Sequence, residues 1–213
     1  MALDETRDRL LEAAGSEFAA HGFEGATVRA ICDRAGVNLA AVNYHFGDKE
    51  RLYEAVVMRA HEARPRFDPG PAGEAAGEAL GRFVHHFLRE VVFGPKDPWH
   101  QAIVMREIAR PSAVAERLVR EAFRPRFEAL RAILRRLAPG ADDRRLDALG
   151  FSVIGQCLHY KLGAVVTERV VGAAAFAALD LDYLVDHVTR FTLAALGAGE
   201  PMNGQDPRGG DGR

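Results

Sequence analysis

Apolar residues recur every four positions near the start of the chain, at Leu10, Ala14 and Phe18. This spacing places them on one face of a helix, so the pattern predicts an amphipathic helix over residues 5–21. Gly22 follows directly and is well placed to end it, because glycine readily adopts the left-handed conformation found at many helix C-termini.

Two shorter helices are predicted next, on either side of Gly36. Thr27 can cap the first with its hydroxyl, and Asn38 can cap the second, which runs from Leu39 to Phe46. The apolar residues that would face a shared core are Val28, Ile31, Ala35, Val42 and Phe46. Two short helices joined by a glycine-containing turn are typical of a helix-turn-helix, whose second helix lies in the major groove of DNA.

The second helix of this motif carries small and polar side chains outside its apolar face. They are Ala40, Ala41, Asn43, Tyr44 and His45. Small side chains let the backbone approach the bases, while Asn, Tyr and His can hydrogen-bond base edges or phosphates. Tyr44 and His45 are adjacent and cannot share one face, so at least one should point outward. For Asn43, a DNA contact and a solvated side chain both remain open.

The remaining pattern predicts helices throughout, giving an all-α protein of about nine helices. Asp48 can cap a fourth helix that reaches about Arg64 and connects a helix-turn-helix head, residues 1–47, to a helical body, residues 48–196. The predicted helices of the body span residues 74–93, 99–110, 112–137 with a kink or break at Pro125, Asp143 to Arg169, and Asp180 to Leu196. The tail, residues 197–213, is rich in Gly, Pro and polar residues and is expected to be disordered.

Apolar runs, the N-terminus and the cysteines indicate the cellular compartment of the protein. No apolar run approaches the roughly 20 residues that a membrane span needs, and the charged N-terminus lacks the apolar core of a signal peptide. Cys32 and Cys157 are far apart, and disulfide or zinc frameworks need more cysteines than these two. The sequence therefore predicts a cytoplasmic protein with ordinary buried thiols.

Charge is the main objection to DNA binding. The formal net charge is −2, and acidic side chains outnumber basic ones within the first fifty residues. Affinity for DNA would have to come from a few placed cations, from helix N-termini at phosphates, and from doubling of the site in a dimer.

The N-terminal quarter of the chain resembles the TetR family of bacterial transcriptional regulators. The segments that carry the resemblance are LLEAAGSEFAAHGFEGATVRAIC, AGVN and VNYHFGDKERLY. In the usual family pattern a phosphate-contacting tyrosine precedes the position of Tyr44, and here that residue is Asn43. The resemblance therefore shifts the expected phosphate contacts to Tyr44, His45 and Lys49.

Lys49 is a cation at the positive end of the fourth helix, where the helix dipole disfavours it. A phosphate partner explains this position better than helix stability does. Thr27 could contact a phosphate as well as cap its helix. The full set expected at DNA is Thr27, Arg29, Asn38, Ala40, Ala41, Asn43, Tyr44, His45 and Lys49.

The body resembles, more weakly, the TetR branch represented by the repressor of cefoperazone and chloramphenicol sensitivity in enterobacteria. The matching pairs are Pro98-Trp99, Arg106-Glu107 and Pro111-Ser112. The family implies a homodimer joined by the last two helices, here Asp143 to Arg169 and Asp180 to Leu196. It also implies a repressor released from a palindromic operator by a small molecule, although the sequence does not separate repressor from activator.

Aromatic and methionine side chains of the body could line the cavity for such a ligand. The candidates, with one cation, are Phe83, Phe87, Trp99, Met105, Arg106, Phe123, Phe127 and Tyr160. Residues of this kind at helical spacing belong more often to the core than to a pocket. Trp99 is an exception, because it follows a Pro-rich break where a helix start can open onto a cavity. Arg106 could bind an acidic ligand or, more simply, pair with Glu107 or Glu121.

A rival hypothesis is a metal sensor or metal-binding enzyme that uses His85, His86 and Glu90. His86 and Glu90 are four residues apart and could share a helix face, with His100 or His159 completing a site. No recognised metal-binding spacing supports this alternative, and the sequence shows no nucleophile–base pair or phosphate-binding loop. We therefore expect no enzymatic activity and no cofactor.

Overall fold

The computed structural model describes residues 2–62, 67–71, 73–94 and 98–197. Within these residues the chain is helical and contains no strand, which confirms the predicted all-α class. The predicted disordered tail beyond residue 197 lies outside the described residues, as do residues 65, 66 and 72 of the loop predicted over residues 65–73. The other residues of that loop, 67–71 and 73, are described and contain no helix, as predicted. The chain divides into two compact units, Met1–Pro69 with His86–Leu130, and Gly70–His85 with Arg131–Arg213.

The first unit contains the helix-turn-helix and the helices packed against it. Its complete helices are α1 (Ala2–Gly25), α2 (Val28–Ala35), α3 (Leu39–His45), α4 (Lys49–Glu62), α6 (Pro98–Ala109) and α7 (Ala115–Leu118), followed by a π-helical turn (Val119–Phe123). Two further helices have residues in both units, α5 (Ala76–Val91) and α8 (Arg124–Leu137). The second unit holds α9 (Asp143–Leu162), α10 (Ala164–Val171), α11 (Ala173–Ala177) and α12 (Leu181–Gly197).

The predicted helix ends of the head are confirmed by their hydrogen bonds. Thr27 Oγ1 accepts from the backbone N–H of Ala30 at 3.1 Å, and Asn38 Oδ1 accepts from that of Ala41 at 3.0 Å. Gly36 is left-handed at φ 65°, which closes α2 and starts the turn. Gly22 has φ 74° and breaks the helical path of α1, so the first amphipathic helix ends where the sequence predicts.

The core of the first unit lies where α1, α4 and α6 pack on one another. Phe18 is fully buried there and meets the ring of Tyr53 edge-on, with the ring centroids 4.9 Å apart. Phe23 turns back onto the same cluster, as expected, with its ring 5.2 Å from that of Tyr53. Trp99 of α6 also belongs to this core and is only 3% exposed.

Gly15 lets α1 and α6 approach closely. A Cβ at this position would lie 2.3 Å from Cδ2 of Trp99, inside any normal carbon–carbon contact. The indole cannot easily move away, because it is buried and Nε1 donates to Glu12 Oε2 at 2.9 Å.

Gly15→Ala is therefore expected to destabilise the protein by about 2 kcal/mol, because overpacking outweighs the better helix propensity of alanine. Chemical denaturation of the two proteins measures this. Gly77→Ala in α5 is the matched control, since its Cβ would meet Leu193 at an ordinary 3.7 Å and stability should be unchanged or raised. Equal stability of Gly15→Ala and the wild type would contradict the tight contact.

Two long predicted helices differ from single regular α-helices. The helix predicted from Asp143 to Arg169 bends by 76° between α9 and α10, at Gly163. A Cβ on Gly163 would lie only 2.9 Å from the carbonyl oxygen of His159, so the break depends on the missing side chain. The helix predicted over residues 112–137 begins at Ala115 and runs through α7, the π-helical turn and α8 without a non-helical residue, so Pro125 does not break it. The π-helical turn lies just before Pro125, whose predicted kink stays a prediction.

Both cysteines are free and buried, as predicted. Burial raises the pKa of the Cys157 thiol to about 12. Among the described residues, no single helix is long and apolar enough to cross a membrane, and α9 with α10 passes that test only as a bent pair.

Candidate nucleic-acid interface

The helix α3 separates its side chains sharply between core and surface. Val42 is 1% exposed and the capping residue Phe46 is 8% exposed, so both hold α3 against the head. Its outward face consists of Leu39, Ala40, Asn43 and Tyr44. This face has no acidic residue, and all its side chains are small, apolar or able to hydrogen-bond.

The two adjacent residues at the end of α3 divide as predicted. Tyr44 points outward and is 72% exposed, whereas His45 is partly buried between the rings of Tyr44 and Phe46. Ala41 is also partly buried and packs against the core, although the sequence analysis placed it outward. The outward face is thus narrower than predicted, and Tyr44 is its longest side chain.

The polar caps of α2 and α3 are themselves at the surface. Thr27, Arg29 and Asn38 are all exposed, and within the described residues Arg29 takes part in no ion pair. Thr27 and Asn38 accept hydrogen bonds from their own helices through the side-chain oxygen. The Thr27 hydroxyl can still donate, as can the Asn38 amide, so capping and a phosphate contact are compatible.

Two cations of the head lie over aromatic rings. Lys49 Nζ is 4.6 Å from the centroid of Phe23, at the start of α4. This contact directs part of the ammonium toward the ring and leaves the donors on its far side available. Arg7 Cζ lies 5.5 Å from the centroid of Phe46, which places an exposed guanidinium beside the end of α3. Sequence reasoning missed Arg7, since nothing in the local pattern connects it to a residue in α3.

Six of the nine acidic residues in the first fifty positions lie on α1, and none lies on α3. Glu5, Asp8 and Glu12 of α1 line an open groove together with Arg9 and Arg34, and no residue of α3 takes part in it. The buried Glu17 is paired with Arg34 at 3.1 Å and with His21 at 3.7 Å. The net charge therefore says little about the surface that α3 presents.

A buried carboxylate links α4 to α6 behind this surface. Glu107 is 3% exposed, and its Oε1 accepts from the Tyr53 hydroxyl at 2.5 Å. Its Oε2 accepts from the backbone N–H of Ser112 at 3.1 Å and from the Ser112 hydroxyl at 2.9 Å. Burial, and then the hydrogen bond to Glu107, raise the pKa of Tyr53 well above its usual value.

Arg106 has a different partner from either one predicted. Glu107 and Glu121 are engaged elsewhere, and Arg106 Nη2 donates instead to the carbonyl oxygen of Ala19 at 3.2 Å. That carbonyl lies at the C-terminal end of the first helical run of α1, just before Gly22, where carbonyls lack intrahelical partners. Arg106 is therefore a capping residue of the head.

Further charged contacts join α4 to its neighbours within the first unit. Arg59 of α4 pairs with Asp8 of α1 at 3.1 Å, and Arg117 of α7 pairs with Glu54 of α4 at 2.8 Å. With the Tyr53–Glu107 bond, these contacts tie α4 to α1, α6 and α7. Any displacement of α6 or α7 must therefore act on α4 and α1.

The predicted pocket residues occupy mixed environments. Phe83 and Phe87 are buried, while Met105, Phe123, Phe127 and Tyr160 are partly buried. Trp99 is a core residue held by Glu12, which is the ordinary interpretation of an aromatic at helical spacing. The assignment of the others to a ligand pocket stays a prediction.

The described residues contain no group of three His, Cys, Asp or Glu side chains close enough to hold a metal ion. His85, His86 and Glu90 are all partly buried in α5. The alternative of a metal site thus gains no support from this part of the chain.

Sequence comparison finds two family models in the chain. The model for bacterial regulatory proteins of the tetR family matches residues 10–56, and that for the C-terminal domain of the HTH-type transcriptional dual regulator CecR matches residues 76–196. CecR of Shigella flexneri is 27% identical over 188 residues, covering 81% of this chain and 83% of that protein. The repressor AcnR of Corynebacterium efficiens is 47% identical over 51 residues, 24% of this chain and about a quarter (27%) of AcnR.

Solved structures show the same fold. A TetR-like transcriptional regulator from Rhodococcus sp. RHA1 aligns with a TM-score of 0.64 at 19% identity, covering 91% of this chain and 97% of that one. HlyIIR, a hemolysin II transcriptional regulator, aligns with a TM-score of 0.61 at 22% identity, covering 88% and 98% of the two chains. The chain belongs to the TetR family of DNA-binding transcriptional regulators, with a C-terminal domain of the CecR type.

Proposed function

We propose that this protein is a homodimeric repressor that binds a palindromic operator through α3 and leaves it when a small molecule binds the helical body. The main support for DNA binding through α3 is its outward face. Asn43 and Tyr44 are exposed there, while Val42 and Phe46 are buried and fix the helix to the head. Asn38 caps this helix and Thr27 caps α2 before it, while Lys49 and Arg7 supply cations nearby.

Phosphate contacts would position the head, and base contacts would give it sequence preference. Thr27, Arg29, Tyr44, His45 and Lys49 are proposed to contact phosphates. Asn43 is proposed to reach a base edge, since an amide can bond an adenine bidentately. Ala40 would let the backbone of α3 approach the bases, and Asn38 would bring the helix N-terminus to the groove.

The second unit offers a surface for dimerisation. Large apolar side chains of α9, α10 and α12 are exposed in the single chain, and such patches usually mark protein interfaces. They are Phe151, Leu162, Val165, Val166, Val170, Val171, Tyr183 and Phe191. The proposed interface joins α9 and α12 of two copies, together with α10, of which Val170 and Val171 lie just beyond the predicted helix Asp143 to Arg169.

Release by a ligand requires reciprocal coupling between the two sites. A ligand that prefers a body conformation with wrongly spaced heads weakens operator binding by the same factor as the operator weakens ligand binding. In the first unit α4 is the proposed lever, because it follows α3 directly and is bonded to α1, α6 and α7.

If Tyr44 and Lys49 contact DNA, replacing either one should lower the affinity for DNA. Tyr44→Ala and Lys49→Ala should each weaken binding to a DNA fragment from the promoter of the protein's own gene by roughly 10-fold, with the dimer intact. For Lys49→Ala, the plot of the logarithm of the binding constant against the logarithm of the salt concentration should also become less steep. The slope should fall by about one per subunit, as expected for a lost phosphate contact.

Gel shifts and fluorescence anisotropy at several salt concentrations measure both effects. Arg120→Ala is the matched control, since its side chain is 65% exposed in the π-helical turn and should leave affinity unchanged. Unchanged affinity of the Tyr44 and Lys49 variants would refute their roles. Absence of any sequence-specific complex at low salt would refute operator binding itself.

A further inference from the structure

An arginine interrupts the buried stripe of α8. Arg126, Leu130 and Leu134 are four residues apart on this helix, and both leucines are fully buried. A guanidinium on such a stripe loses hydration, which is costly unless an anion or hydrogen-bond acceptors replace the water. Burial accordingly lowers the pKa of Arg126.

The surroundings of Arg126 supply an aromatic face but no direct counter-ion. Its Cζ lies 5.9 Å from the ring centroid of Phe87, which is itself buried. Glu90 acts on it only at longer range, and among the described residues Arg126 makes no hydrogen bond or ion pair. Arg126 is only partly buried, so its five donors are open to water or to a ligand rather than bonded to an acceptor in this part of the chain.

The backbone next to Arg126 is unusual as well. The π-helical turn Val119–Phe123 lies immediately before α8 and ends in Phe123, three residues before Arg126. Single π-helical turns inside helices occur frequently at functional sites. The extra residue rotates the side chains that follow about the helix axis. Phe87, Phe123 and Arg126 all belong to the first unit, which also contains α3 and α4.

We propose that Arg126 binds the carboxylate of the effector, whose aromatic body lies against Phe87. The inference rests on the proposed function, since it gives a ligand class to the effector site of the body. A planar guanidinium binds a carboxylate bidentately, and an aromatic ligand complements the neighbouring ring. Glu90 favours the charged guanidinium but competes with a bound anion.

Calorimetric titration of the full, DNA-free protein with 2-naphthoate and its neutral isostere 2-naphthamide tests this assignment. The acid should bind the wild type at least roughly 10-fold more tightly than the amide, as for a hydrogen bond to a charged group. Arg126→Gln should abolish this preference, and Arg126→Lys should retain part of it. Glu90→Gln should tighten binding of the acid by roughly 3-fold, because a competing negative charge is removed.

Arg124→Gln is the matched control, an exposed arginine two residues earlier on α8 that should leave both affinities unchanged. Arg126→Met should fold and be at least as stable as the wild type, because it completes an apolar stripe. Equal affinity for acid and amide, or an acid preference that survives Arg126→Gln, would overturn the proposal. So would weaker acid binding in Glu90→Gln or a large stability loss in Arg126→Met, since either result makes Arg126 a structural partner of Glu90.

The same titrations separate this inference from the regulatory proposal. Acid binding that depends on Arg126 supports the site whether or not 2-naphthoate releases promoter DNA. Sequence-specific DNA binding without any acid preference would leave operator recognition standing and remove only the Arg126 site.

Discussion

Replacing Tyr183 and Phe191 by glutamate is expected to split the dimer and to weaken operator binding by roughly 100-fold or more. The two aromatic rings lie eight residues apart on α12 and are 55% and 57% exposed in the single chain. His187 lies between them, with ring centroids 6.3 Å from Tyr183 and 6.2 Å from Phe191. This aromatic row would be covered by a second copy, and a charge placed there would have to be buried unpaired.

The expected loss of DNA affinity follows from the linkage of two heads. When one head is bound, the second binds at a high effective concentration, and this gain vanishes in a monomer. Sedimentation velocity reports the dimer, and anisotropy with promoter DNA reports the affinity. Phe93→Glu is the control, because that aromatic is 43% exposed in the first unit, outside the apolar patch. A double variant that stays dimeric would place the interface elsewhere.

Glu107→Ala is expected to destabilise the fold by about 3 kcal/mol, because it leaves two buried or partly buried partners without their acceptor. The Tyr53 hydroxyl loses a 2.5 Å hydrogen bond, and the Ser112 N–H and hydroxyl lose bonds of 3.1 and 2.9 Å. Since these bonds join α4 to α6 and to the turn that follows it, the remaining folded protein should also respond less to ligand. Denaturation and ligand-dependent DNA release measure the two effects.

Tyr53→Phe is the matched partner of this variant. It removes one hydrogen bond and should cost about 1 kcal/mol at neutral pH. The raised pKa of Tyr53 also gives a pH dependence, because the folded state favours the protonated phenol. That stabilisation is complete below about pH 10 and falls as the pH rises above this value. The difference in the free energy of unfolding between the wild type and Tyr53→Phe should therefore shrink as the pH rises above about 10. A difference that stays constant would contradict the hydrogen bond between Tyr53 and Glu107.

Local chemistry allowed the head to be predicted well. Thr27, Gly36 and Asn38 act on atoms within a few residues of themselves, so their roles can be read from the sequence. The same holds for the alternation of buried Val42 and Phe46 with exposed Tyr44. The predicted family and fold are both confirmed.

The contacts that the sequence could not supply are distant along the chain. Glu107 and Tyr53 are 54 positions apart, and helical periodicity says nothing about which helix faces which. The break at Gly163 was missed for a related reason. A glycine within a helical pattern costs only about 1 kcal/mol, so the pattern alone does not decide between a continuous and a bent helix.

The sequence is least informative about which groups the charged side chains bind. Arg106 caps α1, and the contacts of its two predicted partners show why, since Glu107 and Glu121 bond to other residues. Long charged side chains have several acceptors within reach, and packing selects among them. Within the described part of the chain, Arg126 lies on a stripe of buried leucines without a hydrogen bond or ion pair, and no motif distinguishes it in the sequence.

The central claim is that two copies of α3 read one palindromic operator. Footprinting of the full-length protein on its own promoter region tests it most directly. We expect two protected half-sites that are related by a dyad and whose centres lie one helical turn, about 10 base pairs, or a multiple of it apart. In Tyr44→Ala both half-sites should need roughly 10-fold more protein for half-maximal protection, and both should shift together. Uniform, salt-sensitive protection without half-sites, or protection that survives Tyr44→Ala unchanged, would contradict it.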